Sequence, residues 1–410
     1  MRKMCAFALP FVLALVAGCG GSGVLTAPTP PPTPPAPTPT SALYTETNAT
    51  TGNEVLAYSR ASNGSLTSIG SYSTGGTGMG LPTYVGAVPI PVGGASGAVA
   101  INAAGTFLYA VDAGSNDVAA FSVATNGTLT FIANYPTGGI APGSVTIDAT
   151  GKYLYVLNTG TLQNAADGVS GGITGFTIGS SGALTAIAGS TQPLSTTDYI
   201  NPSQVAFAPN GSYLMVTEKA GNIDIYPVSA GVAGAPVSTA STGAIPFGFA
   251  FTSAGVAVVT NAVDPSPALL LGTLTSYTAT AQGVLTVVSG NVADNQSQPC
   301  WLALNPAGTF GFTTNTPSGS ISAYAISSTG GLTLVPPPSG TAATVVMSPS
   351  SLPIDDIVTP DGDYLYVIQS NAGAVPGDIV GFSIGSTGAL TSITGGVTGL
   401  PEGSLGLAVR

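Results

Sequence analysis

The chain contains no histidine, and only 6% of its 410 residues are charged, against about a quarter in an ordinary soluble domain. Without histidine there is no His-based triad, no imidazole general base and no His-ligated metal. Six Lys and Arg stand against 17 Asp and Glu, a net charge of −11. A nucleic-acid binder needs clustered cations to neutralise phosphates, so that class is excluded. Three cysteines are too few for a disulfide framework. No apolar run reaches the roughly 20 residues that a bilayer-spanning helix needs. What the chain has in quantity is glycine, 57 residues, proline, 33, and a hydrophobic fraction of 44%. That fraction is too high for a disordered chain.

The first forty residues read as an address. Met1-Arg2-Lys3 is a basic start, and Ala6 to Ala17 is an apolar run of the length found in a secretory signal peptide. Val16-Ala17-Gly18-Cys19 resembles the bacterial lipobox, in which cleavage precedes the cysteine and that cysteine is acylated. Residues 1–18 are therefore expected to be a lipoprotein signal peptide, Cys19 the lipidation site, and 19–41 a tether. Gly20 follows the cysteine, which by the same resemblance permits outer-membrane sorting. The run TAPTPPPTPPAPTPT at 26–40 favours polyproline II, a semi-rigid spacer of roughly 3.1 Å per residue. The expected location is the bacterial cell envelope, lipid-anchored at the outer membrane. With residues 1–18 removed, the cations are Arg60, Lys152, Lys219 and Arg410, and Cys300 is the one cysteine besides the anchor. Cys300 beside Trp301 in an apolar segment reads as core.

From residue 42 a four-part unit recurs. GAVAIN-AAG-TFLYAV at 97–111 is followed by DVAAFSV-ATNG-TLTFI at 117–132. GSVTID-ATG-KYLYVL at 143–157 is followed by GITGFTI-GSSG-ALTAI at 172–187, and the last such unit runs DIVTPDGDYLYVI at 356–368 and DIVGFSIGSTGALTSI at 378–393. Between the first two runs of each unit lies a glycine, at 105, 151, 211, 255, 308 and 362. Short β-branched and aromatic runs separated by glycine turns are strands. Four-stranded units at this spacing indicate a β-propeller. The runs are apolar on both faces, as blades covered by neighbours on both sides require, and this accounts for a mean hydropathy of +0.44. A transmembrane barrel would instead need strands of about ten residues with strict alternation.

The ends set the count. ALYTET at 42–47 matches the second strand of the other units, and GSLGLAV at 403–409 matches their first strands. The fold expected is all-β: a seven-bladed β-propeller over 42–410, four antiparallel strands per blade, the ring closed by the C-terminal strand in the first blade. Closure removes the exposed edge.

The pattern P/A-x-G-x-Y-L-Y-V, then G-x-I-x-x-F-x-I-x-x-x-G-x-L-T, resembles the seven-bladed propeller lactonase family, which includes one type of 6-phosphogluconolactonase and carboxymuconate cycloisomerase and is close to the YVTN-type surface repeats. The resemblance covers essentially all of 42–410, on scaffold motifs. It implies a lactonase activity served by His and Arg around the central cleft; this chain lacks the histidines. A phosphorylated lactone also calls for a cation cluster, and of the mature chain's cations only Lys219 is expected on the long-loop face.

The turns between first and second strands are minimal, and the long connections all join second to third strands or one blade to the next. Binding usually resides in such loops on a rigid scaffold. The polar residues expected there, as ligand-binding candidates, are Asp112, Asn158, Glu218, Asn261, Asn315, Gln369 and Asp356, with Asp294 and Asp355 nearby. Together they suggest an acidic, hydroxyl-rich mouth. Calcium takes six to eight hard oxygens of this kind, so it is the cofactor these residues would accept, although no compact ligand motif is present and no cofactor is required. The expected function is a binding or scaffold propeller with a glycan, small-molecule or protein ligand on the loop face; the alternative is a lactone hydrolase, calcium-assisted or of the phosphogluconolactonase kind.

Overall fold

The computed structural model describes residues 41–80, 83–85, 90–92, 96–160, 171–196, 202–263, 271–337, 343–347, 351–371 and 375–410. Residues 1–40, with the expected signal peptide, Cys19 and nearly all of the expected tether, lie outside them. Seven antiparallel sheets of four or five strands follow one another along the chain, plus a two-stranded hairpin, Thr83–Val85 with Ile90–Val92. Among the described residues there is no helix.

Each sheet is one blade. In the second, the order from the inside outwards is Val99–Ile101, Phe107–Asp112, Asp117–Val123 and Leu129–Pro136. The first blade is built from both ends of the chain, with Leu405–Val409 innermost against Ala42–Glu46, then Glu54–Arg60 and Leu66–Ser73. Tyr44 stands opposite Ala408 and Leu43 opposite Val409. The ring closes as the sequence predicts.

The repeated motifs turn out to be halves of one contact. In the Y-L-Y-V strands the second tyrosine is buried and donates its hydroxyl to a glycine carbonyl in the next blade: Tyr109 to Gly182 at 2.9 Å, Tyr155 to Gly231 at 2.8 Å and Tyr44 to Gly127 at 3.0 Å. Tyr366 makes the same bond to Gly64 at 2.5 Å, stapling the last blade to the first. The receiving residue is the glycine of G-x-L-T, in the turn between third and outer strands. Gly182 and Gly231 both have φ of +83°, which a residue with Cβ resists. A Cβ at Gly231 would also lie 2.1 Å from the Tyr153 ring. A net hydrogen bond contributes about 1 kcal/mol. Tyr109→Phe is accordingly expected to lower the unfolding free energy by about 1–2 kcal/mol, the cost including an unpaired Gly182 carbonyl; a denaturant titration with unchanged midpoint would refute the staple.

The inner strands show a second regularity. Pro142, Pro202 and Pro299 open the inner strands of blades three, four and six, Pro246 and Pro353 stand third in those of blades five and seven, and each is followed by a break in register. Proline suits the start of an edge strand because it has no N–H to leave unpaired. Opposite these prolines stand Asn158, Glu218, Asn261, Asn315 and Gln369. The fold therefore places Asp112, Asn158, Glu218, Asn261, Asn315 and Gln369 at or near the end of a second strand, on the face with the long connections, whereas the candidate Asp356 lies on the innermost strand of the seventh blade.

Candidate ligand-binding face

These polar ends are buried in the seams between blades. Asp112 and Asn261 are fully buried, as is Asn315, and Glu218 and Asn158 are nearly so; Gln369 is half-buried. The loop leaving the preceding blade lies over each seam. Asp112 Oδ1 accepts from Thr74 Oγ1 at 2.7 Å and Asn53 Nδ2 at 3.0 Å, both from the first blade. Glu218 accepts from the hydroxyls of Ser195, at 2.7 Å, and Thr196, both from the third. Asn261 Oδ1 accepts from Ser241 of the fourth at 3.3 Å. Within its own blade Asn315 donates to Ser320 and Ser322, at 3.1 and 3.0 Å, and Gln369 to Asp378 at 3.1 Å. Asp112, Glu218 and Asn261 are thus bound from the preceding blade, whereas Asn315 and Gln369 bond within their own.

Burial sets the protonation of the acids. It pushes the Asp112 carboxyl up to about 7, against the Thr74 and Asn53 hydrogen bonds, with the neighbouring Asp117 adding to the rise. Glu46, also fully enclosed, is pushed well above the carboxylate range by burial and then by Asp112. Glu218 rises to about 7 through burial and the facing Asp224. Asp224 itself is buried, holds the Ser195 N–H at 2.9 Å and leaves its Oδ1 without a hydrogen-bond partner among the described residues. Asp224 stands as the nearby carboxyl that adds to the rise of Glu218.

Asp355 and Asp356 lie on the innermost strand of the seventh blade and are both buried. Burial raises Asp355 to about 7 against N–H bonds from Asp356, Leu407 and Gly406, and it raises Asp356 further, with Asp355 adding. Asp294 rises to about 6 through burial, opposed by hydrogen bonds from Ser322 and Tyr324. Among the described residues no group of three or more Cys, Asp or Glu stands where it could hold a metal ion.

The cations fall where the sequence puts them. Arg60, on the third strand of the first blade, pairs with Asp361 in the opposite-face turn of the seventh. Arg410 donates to the carbonyls of Gly105, Ala124 and Thr125. Lys219 follows the second strand of the fourth blade but is buried, its Nζ 4.5 Å from the centre of the Phe247 ring. Desolvation lowers its ammonium to about 7. Cys300 is core, as expected: burial pushes its thiol up to about 12 despite the Lys219 charge, so it is not an activated nucleophile. Tyr44 and Tyr277 are buried in the seams as well.

One open cleft of about 310 Å³ lies on this face at the seam of the second and third blades. It is lined by Gly138, Gly139 and Ile140 of the connecting loop and by Asn158, Gly171, Gly172, Thr174, Thr191, Gln192 and Pro193 of the third blade.

Residues 52–166 match a family model described as "Lactonase, 7-bladed beta-propeller". That match covers the second blade and parts of the first and third. In shape the likeness extends further. A periplasmic gluconolactonase from Pseudomonas aeruginosa is 16% identical with a TM-score of 0.64, covering 90% of this chain and 98% of that one. A protein from Lactobacillus plantarum is 18% identical with a TM-score of 0.65, over 91% and 99%. A Bacteroides fragilis protein provisionally described as a 6-phosphogluconolactonase is 20% identical with a TM-score of 0.59, over 90% and 98%. At these identities the likeness is one of fold. No curated protein matches the chain.

In this propeller, sequence reasoning missed Asn53, Asp224 and the loops that cover the seams. A signal was present: Thr74-Gly75-Gly76, Thr137-Gly138-Gly139 and Ser241-Thr242-Gly243 precede the inner strands of the next blades. In each the last glycine packs on the polar side chain: a Cβ there would lie 2.5 Å from Asp112 Cγ, 2.3 Å from Asn158 Cγ and 2.2 Å from Asn261 Cγ.

Proposed function

We propose that this protein is an envelope-anchored propeller of lactonase type that binds an uncharged ligand on its long-loop face, without the family's His and Arg chemistry. The observation that carries the reading is the state of the polar residues on that face. Their carboxyls are buried, hydrogen-bonded across seams and near neutral, and the one cation there is spent over Phe247. An anionic substrate would meet no free counter-charge among these residues, and a buried unpaired anion is costly.

A lactone hydrolase is the second reading. It is favoured by the family match and by Glu218, a carboxyl raised to about 7 beside a second carboxyl, Asp224, since two neighbouring carboxyls can serve as acid and base towards a carbonyl and a water. One assay separates the two. The purified full chain is offered plain and phosphorylated lactones, with calcium or with chelator. No turnover is expected. Hydrolysis that disappears in Glu218→Gln would replace the binding reading with the carboxyl-pair hydrolase, and calcium dependence would add the metal.

The anchor is tested separately. Labelling with a fatty-acid analogue is expected in the wild type and absent in Cys19→Ser, which should leave the membrane fraction. Unchanged fractionation without labelling would exclude lipidation.

A further inference from the structure

The seams are not all closed alike. At the first seam Asp112 Oδ1 is taken by Thr74, and at the fourth Asn261 Oδ1 is taken by Ser241. At the second seam the equivalent Thr137 instead donates to the Asn116 carbonyl, at 3.1 Å. Asn158, 3% exposed, keeps one long contact from Nδ2 to Thr174 Oγ1 at 3.4 Å. Its Oδ1 has no partner among the described residues. This buried, unsatisfied acceptor lines the 310 Å³ cleft. A buried acceptor left unpaired is costly, and a ligand hydroxyl donating to it would relieve that cost.

The cleft walls are made by absence of side chains. A Cβ at Gly139 would collide with Asn158 Cγ, one at Gly171 would lie 2.6 Å from the Asn158 carbonyl, and one at Gly172 2.6 Å from the Gln192 carbonyl. The polar side chains are Asn158, Thr174, Thr191 and Gln192, with Ile140 and Pro193 as apolar surface, and no charged side chain lines the cleft among the described residues. Pockets for small ligands run from about 300 Å³ upward, so this one has room for one or two small rings.

We propose that this cleft is a saccharide subsite that takes a neutral, polyhydroxylated ring. A ring hydroxyl donates to Asn158 Oδ1, and the ring's C–H face lies on Ile140 and Pro193. The proposal deepens the binding reading above and rests on it.

The test is saturation-transfer NMR on the purified full chain with glucose, galactose, mannose and N-acetylglucosamine, alongside glucuronate and glucose 6-phosphate. At least one neutral sugar is expected to receive saturation and the charged ones none. Thr191→Tyr, placed on the exposed rim, is expected to weaken that sugar at least tenfold at unchanged melting temperature. Asn158→Leu should do the same, and the Tyr variant keeps the test valid if the buried substitution impairs folding. No transfer to any neutral sugar, or equal transfer to the charged sugars, would overturn the subsite. Binding that survives Thr191→Tyr would move the sugar elsewhere on the face, overturning the cleft and sparing the binding reading. Lactone turnover would overturn that reading, while the sugar titration judges the cleft on its own.

Discussion

The melting temperature is expected to be highest near pH 4–5 and to fall by roughly 5–10 °C by pH 7.5–8, opposite to the usual acid lability of paired carboxylates. The responsible groups are Asp112, Glu218 and Asp355, each pushed up to about 7, Asp294 at about 6, and Glu46 and Asp356 well above the carboxylate range. The dominant cause in all six is burial. Folded, the chain keeps these protons where the unfolded chain has released them. Their stabilisation is complete below the ordinary carboxylate values; that of Asp112, Glu218, Asp355 and Asp294 is lost as pH rises through about 6–7, and that of Glu46 and Asp356 well above the carboxylate range. A raised pKa of about three units corresponds to at most about 4 kcal/mol per group. Glu46 with Asp112, and Asp355 with Asp356, are close pairs, so their contributions do not add. Asp361, where burial is outweighed by Thr359, the Asp363 N–H and Arg60, is lowered and acts below this window. Lys219, lowered to about 7 by burial, acts above it, between about 7 and its ordinary value, and there favours folding as pH rises. The stability minimum is therefore expected close to neutrality. Self-repulsion of a chain at −11 has the same sign. Asp112→Asn with Glu218→Gln should flatten the curve, whereas Glu402→Gln, at an exposed position, removes surface charge and should not. Melting curves that are flat or rise from pH 4.5 to 7.5 would overturn the assignment.

Deleting residues 403–410 is expected to abolish soluble folding. The strand Leu405–Val409 supplies the inner edge of the first blade, with buried Leu405, Leu407 and Ala408. Arg410 N–H donates to the Ala42 carbonyl at 2.9 Å, and Thr45 Oγ1 to the Leu405 carbonyl at 3.1 Å. The N–H groups of Gly406 and Leu407 are aimed at Asp355 across the next seam. Each large apolar side chain contributes about 1.5–3 kcal/mol by burial. With the lost backbone pairs, the sum is comparable to the whole stability of a typical protein, about 5–15 kcal/mol. The strand Ala42–Glu46 would also become an open apolar edge, which invites aggregation. A soluble truncated protein with the intact melting temperature would refute the closure.

The fold was legible because propeller repeats print their geometry locally. Each turn between third and outer strands needs a glycine with positive φ, and each Y-L-Y-V tyrosine needs a carbonyl to bond, so Gly182 and Tyr109 recur at fixed offsets. The candidate positions were legible for the same reason: Asp112, Asn158, Glu218, Asn261, Asn315 and Gln369 each stand at or near the end of a second strand. Their surroundings were not. Whether an acid at such a position faces water or a seam depends on the loop of the preceding blade, tens of residues away. Thr74 reaches Asp112, Ser195 reaches Glu218, and Thr137 turns away from Asn158.

The sequence by itself determined the seven-blade ring, its closure and the face that carries the long connections, because these follow from strand order, turn length and glycine placement along the chain. Tertiary packing set the burial of the polar ends, the rise of Glu218 beside Asp224, the place of Lys219 over Phe247 and the unpaired Oδ1 of Asn158 at its cleft. Those outcomes depend on desolvation and on which hydroxyl arrives from a neighbouring blade, and both are properties of packing between units distant in sequence.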